Sequence, residues 1–80
     1  MTKKFIDLFS GAGGMSCGLE CAGFQSLLGI DYDAIALETF QRNHPNAKTI
    51  VSDLREISVE TIQEAVDYQK IDLYLNPNFQ

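Results

Sequence analysis

Eighty residues allow one small domain, and a chain this short buries only about 60–65% of its unfolded surface, so its stability is marginal. Eleven acidic residues against six scattered basic ones leave a net charge of −5, a poor match to a free-standing nucleic-acid binder, which needs a basic face. No apolar run approaches the ~20 residues that cross a bilayer, and Met1-Thr2-Lys3-Lys4 does not open a signal peptide, so a cytoplasmic location is expected.

The first strand is expected over 4–9, on Phe5, Ile6, Leu8 and Phe9. It stops at the cluster Ser10-Gly11-Ala12-Gly13-Gly14, where missing Cβ atoms permit a tight turn and close approach of a ligand. A helix over 14–22 follows, with Met15, Leu19 and Ala22 spaced as its apolar face and Gly23 as its stop. The second strand is expected over 25–31 and the second helix over 34–43, N-capped by Asp33 and closed by Asn43-His44-Pro45. A short third strand over 47–51 leads through Ser52-Asp53-Leu54 to a third helix over 59–68, capped by Ser58. The fourth strand is expected over 70–75, before Asn76-Pro77-Asn78.

Strands alternating with helices predict an α/β, Rossmann-like parallel sheet of about four strands, order 3-2-1-4, with three helices. Such sheets bind ligands beyond the carboxyl ends of their strands. Those ends carry Ser10 to Gly14, Asp31 to Asp33, Asp53 and Asn76. The glycines do not fit Gly-x-Gly-x-x-Gly, because Ser16 stands where the third belongs, and no Gly-Lys-Ser/Thr ending marks a phosphate loop. A ligand-free turn therefore stays open as a reading of this cluster alone.

Asp31 suits the vicinal hydroxyls of a ribose, since Asp33 fits the helix cap better. Tyr32 can lie against an adenine or be a half-buried loop aromatic. Phe9 can face the ring's other side or be ordinary core. Asp53 can accept from an adenine amino group, with the Leu54 backbone N–H donating to the ring, or act as a turn acid. Cys17 and Cys21, four apart on one helix, suit neither a disulfide nor a zinc site and are expected to be structural. His44 is expected at a helix end. No metal site and no acid–base catalytic grouping is expected.

The run Phe5-Ile6-Asp7-Leu8-Phe9-Ser10-Gly11-Ala12-Gly13-Gly14-Met15-Ser16-Cys17-Gly18-Leu19 resembles the first motif of the DNA cytosine-5 methyltransferases, and Cys21-Ala22-Gly23-Phe24 continues it. Asp31-Tyr32-Asp33 with Ala36, Phe40 and Asn43-His44-Pro45 is similar to the second motif, and Ser52-Asp53-Leu54 with Ile57 to the third. The resemblance covers about residues 4–75. It implies S-adenosylmethionine as cofactor. Gly11, Gly13 and Gly14, with Ser10, would accommodate the methionine part. Asp31 would take the ribose, Tyr32 and Phe9 the adenine faces, and Asp53 the adenine amino group beside Leu54.

After its fourth strand the family carries Gly-Gly-Pro-Pro-Cys-Gln, whose cysteine adds to C6 of a flipped-out cytosine. Here the sequence reads Leu75-Asn76-Pro77-Asn78-Phe79-Gln80, which puts Gln80, or with one gap Phe79, at the cysteine position. Neither forms the covalent adduct, and Cys17 and Cys21 cannot stand in. The family's later glutamate, arginine and target-recognition domain are also missing from these 80 residues. The expectation is a partial methyltransferase domain over 1–80, of DNA-methylation or restriction-modification type. It would keep part of the cofactor site, be inactive alone and not grip DNA tightly. An exposed fourth strand would favour self-association or a companion chain. A non-enzymatic partner-binding fragment and a dinucleotide-binding module are the alternatives.

Overall fold

The computed structural model of the chain describes residues 2–11 and 13–75. The elements are β1 (Lys4–Asp7), α1 (Gly14–Cys21), β2 (Gln25–Asp31), α2 (Ala34–Asn43), β3 (Lys48–Val51), α3 (Val59–Ala65) and β4 (Leu73–Leu75). All strand pairs are parallel and the order is β3-β2-β1-β4, as the alternation of elements predicts. The proposed turn at Asn76-Pro77-Asn78 and the readings of Phe79 and Gln80 lie outside the described residues.

β2 is one of the two inner strands, and its middle is apolar on both faces: Leu27 to Ile30 are all buried. Gly29 gives one face room for a helix, since a Cβ there would stand 2.6 Å from the Phe40 ring of α2. Alternation then turns Leu28 and Ile30 to the opposite face, where they cluster with Ile6, Leu54 and Val66, against which Ile62 and Ala65 of α3 pack. Leu37, Phe40 and Ala47 form the smaller cluster beneath α2. The sheet is thus covered on both sides, as parallel sheets require.

The caps follow the sequence at two helices. Asp33 accepts from the amides of Ile35 (3.0 Å) and Ala36 (3.2 Å), and Ser58 accepts from Thr61 (3.1 Å). α1 starts instead on Gly13, at φ +90° with no side-chain cap.

α1 and β3 each come out one residue shorter than expected, and three boundaries differ by more. β1 ends at Asp7, because the Phe9 amide turns back to donate to the Asp7 carboxylate (3.3 Å). α3 ends at Ala65, and Asp67 and Tyr68 take left-handed angles, φ 54° and 57°. β4 begins only at Leu73, because the Asp72 carboxylate accepts the Lys4 amide (2.9 Å) ahead of the ladder. The expected apolar face of α1 is also corrected. Met15 and Ala22 are exposed, and the buried position is Ser16, which donates to Asp7. Cys17 and Cys21 lie exposed on that helix, not in the core.

Candidate functional site

The chain turns sharply after β1. The Ser10 amide donates to the Ile30 carbonyl (3.1 Å), which holds the turn against the end of β2, and the Gly13 amide closes it on the Ser10 carbonyl (2.9 Å). Gly11 and Gly13 both adopt positive φ, +51° and +90°, where a Cβ is strained. Their surroundings differ. A Cβ at Gly11 or Gly14 would meet nothing within 4 Å, whereas one at Gly13 would stand 2.8 Å from His44 and Phe40. Gly11 and Gly14 therefore border open space, and Gly13 lets the turn pack against α2.

Asp31, 9% exposed, sits where β2 ends. One of its carboxylate oxygens accepts the Gly11 amide at 2.8 Å and the other accepts the Asp33 amide at 3.0 Å. A carboxylate oxygen has two acceptor sites, so each can take a further donor from outside. The Ser52 amide donates to the Asp31 carbonyl (2.9 Å), which brings the end of β3 alongside. Glycine turn, Asp31 and Ser52 thus form one hydrogen-bonded edge. Tyr32, 73% exposed, stands at that edge with its ring available to a ligand.

Phe9 is half-buried and packs on the large apolar cluster, which leaves it less free than Tyr32. Ser10 is buried. Leu54 contributes its side chain to the core, so only its backbone is suited to a ligand. Asp53 lies at the same edge, but Arg55 holds both its carboxylate oxygens, at 3.1–3.2 Å from Nε and 2.7 Å from Nη2. The side-chain and backbone hydrogen bonds from Arg55 keep the Asp53 carboxyl at about 2, well below the ordinary 3.8. A ligand amino group must share Asp53 with Arg55 or displace it.

Two buried polar groups behind the turn escaped the sequence reading. Asp7, 1% exposed, accepts from the Ser16 hydroxyl (2.9 Å) and so fixes α1 to β1. An acid in the run Phe5-Ile6-Asp7-Leu8 is the signal that could have revealed it. His44, also 1% exposed, joins α1, α2 and the glycine turn. Its Asn43-His44-Pro45 context pointed only to a helix end. Away from this edge, a shallow depression near the start of the sheet is lined by Thr2, Lys4, Lys70 and Asp72. Among the described residues no helix is long and apolar enough to cross a membrane.

Comparison with known proteins adds to this geometry. The family model of C-5 cytosine-specific DNA methylases matches residues 3–73. The Type II methyltransferase M1.HphI of Haemophilus parahaemolyticus is 33% identical over 75 residues, covering 94% of this chain and 20% of that protein. Among solved structures, a prophage-encoded protein of E. coli assigned to the DNA modification methyltransferases superposes with a TM-score of 0.85 at 31% identity, over 91% of this chain and 21% of the other. A TehB-like SAM-dependent methyltransferase from Corynebacterium glutamicum superposes with a TM-score of 0.61 at 28% identity, over 71% of this chain and 30% of the other. The chain spans 20–30% of the length of these proteins.

Proposed function

Because the chain belongs to the C-5 cytosine-specific DNA methylase family, we propose that its sheet edge holds the adenosyl end of S-adenosylmethionine, the cofactor that family implies, as the N-terminal part of a DNA cytosine methyltransferase. The single observation that carries this reading is the Gly11–Asp31 hydrogen bond beside open space. It sets a buried carboxylate beside a bare backbone turn that borders open space. Family membership favours S-adenosylmethionine over a dinucleotide.

The residues present fit that group. Asp31 has spare acceptor sites for two ribose hydroxyls. Tyr32 offers an exposed ring for the adenine face, with Phe9 on the side of the glycine turn. Asp53 and the Leu54 backbone would meet the ring edge, and Gly11 and Gly14, which border open space, would take the methionine part beside Ser10, with Gly13 shaping the turn. When bound, the cofactor supplies an electrophilic methyl group on a sulfonium. The chain's own residues bind and orient it. No cysteine among the described residues lies at the end of β4, and both thiols belong to α1. On this reading the 80 residues alone transfer no methyl group. Their charge of −5 opposes tight binding to DNA. The unpaired thiols suit a reducing compartment, the cytoplasm.

Titration calorimetry with S-adenosylmethionine and its demethylated product tests the binding half. Heat with one site per chain is expected, weakened by Asp31→Ala; no heat from protein shown to be folded rejects it. A methyl-transfer assay on DNA tests the other half, and turnover by this chain alone would refute it.

A second reading has its own observation. β4 pairs with β1 on one side only among the described residues, and its Leu73 and Tyr74 are 37% and 49% exposed. Open strand edges recruit further strands, so a second copy or a companion chain is proposed to pair there. Light scattering should show the average mass rising with concentration. A constant monomer mass would remove this reading and leave the cofactor site untouched.

A further inference from the structure

The densest polar cluster behind the sheet edge joins α1, α2 and the glycine turn. His44 closes α2 and is 1% exposed. Its Nδ1 meets the Glu20 carboxylate of α1. Its Nε2 stands 3.7 Å from Cys17 Sγ and 3.3 Å from the Gly13 carbonyl oxygen. The ring also packs on Phe40, centroids 4.6 Å apart. The arrangement is linear and does not converge on a point. Among the described residues no group of three or more His, Cys, Asp or Glu could hold a metal ion.

The neighbours decide where the protons sit. An ionised carboxylate only accepts, so Nδ1 carries a hydrogen and donates to Glu20. In the neutral ring Nε2 then presents a lone pair. Of its two neighbours, the Gly13 carbonyl has no hydrogen to give and the thiol has one. In that form Cys17 is the group that donates to Nε2. If that proton moves onto Nε2, the Gly13 carbonyl is already placed to accept from the new N–H. Both ring nitrogens are then satisfied in the charged state, beside a thiolate. Nucleophile, base and orienting carboxylate stand in the sequence that activates catalytic thiols. Cys17 is exposed and can be reached. Cys21 provides an internal contrast: it is also exposed on the same helix, with no side-chain hydrogen bond among the described residues.

We propose that Cys17 is a nucleophilic thiol, activated by His44 and oriented through Glu20, that takes small soft electrophiles such as alkyl halides and peroxides. With an alkyl iodide, the thiol proton passes to Nε2, an S–C bond forms, the C–I bond breaks and iodide leaves. The proton is then released to solvent. With hydrogen peroxide, sulfur attacks one oxygen, the O–O bond breaks, the thiol is oxidised to sulfenic acid and the second oxygen leaves as water. The proposal stands apart from the cofactor reading, and its test needs no cofactor.

The test is timed alkylation of the full chain with iodoacetamide at neutral pH, with each cysteine followed by peptide mass spectrometry. Cys17 should react about tenfold faster than Cys21, a modest share of what a positioned base supplies. His44→Gln should bring Cys17 down to the rate of Cys21. Glu20→Gln, changed at the exposed end of the relay, should lower the Cys17 rate by a smaller factor while Cys21 stays constant. Equal rates at the two cysteines of the parent chain overturn the proposal, whatever the variants do. So does a Cys17 rate that Glu20→Gln leaves unaltered. If His44→Gln unfolds the chain, both cysteines speed up together, and the parent and Glu20→Gln comparisons still decide.

Discussion

The Asp31 carboxylate accepts the Gly11 amide at 2.8 Å and so binds the end of β2 to the glycine turn that follows its neighbour β1. One side chain thereby sets the shape of the edge and offers the charge that a ligand would meet. Asp31→Ala removes this bond and the one from the Asp33 amide. A loss of about 1.5–3 kcal/mol is expected, as for hydrogen bonds to charged groups. Thermal unfolding followed by circular dichroism measures it, and an unchanged midpoint contradicts the assignment.

The glycines separate into two kinds, and alanine scanning should distinguish them. Gly13→Ala puts a Cβ at φ +90° and 2.8 Å from His44 and Phe40, and should cost at least about 1–3 kcal/mol. Gly18→Ala lies inside α1 with nothing within 4 Å, and should stabilise by about 0.5–1 kcal/mol. Denaturant unfolding of the two variants checks the opposite signs.

Gly29 and Phe40 are a matched pair. Gly29→Ala drives a methyl group to 2.6 Å from the ring and should be strongly destabilising, whereas the same change beside Phe40→Leu has room. The double variant should therefore lose less than the two single losses added together, with a coupling of about 0.5–3 kcal/mol. Additive losses would show that the ring does not rest on this glycine.

Much of this was legible beforehand because local signals agreed. Asp33 and Ser58 are caps by residue type and spacing, and they cap. The apolar run Leu27-Leu28 to Ile30 reads as a strand, and it forms one of the two inner strands of the sheet. Several of the misses come from long-range pairing. Ser16 is buried only because Asp7, nine residues earlier, accepts its hydroxyl. β4 starts late because Asp72 is drawn to Lys4, 68 residues away. His44 is invisible as a junction until α1 and α2 lie on the same face of the sheet. In the candidate site, the positions of Asp31, Tyr32 and the glycines beyond their strand ends were readable from the order of elements. The hold of Arg55 on Asp53 was not, because spacing alone does not show which way a guanidinium turns.

That hold has a pH signature. The folded Asp53 carboxyl is depressed from 3.8 to about 2, so its ion pair favours the folded state above pH 3.8 and the benefit is lost as pH falls through 2. Both groups are solvent-facing, so the effect is small and screened by salt. Arg55→Ala should destabilise slightly at pH 5–7 and cease to matter near pH 2, and NMR titration should find Asp53 back near its ordinary value. A destabilisation that grows on acidification would carry the wrong sign.

The most direct test of the account is amide NMR of the 15N-labelled chain titrated with the demethylated cofactor product. Shifts are expected to concentrate at Gly11, Gly13, Gly14, Asp31, Tyr32 and Leu54, at the carboxyl edge of the sheet. Shifts confined to Thr2, Lys4, Lys70 and Asp72 at the opposite end, or a folded spectrum that does not move at all, would contradict it.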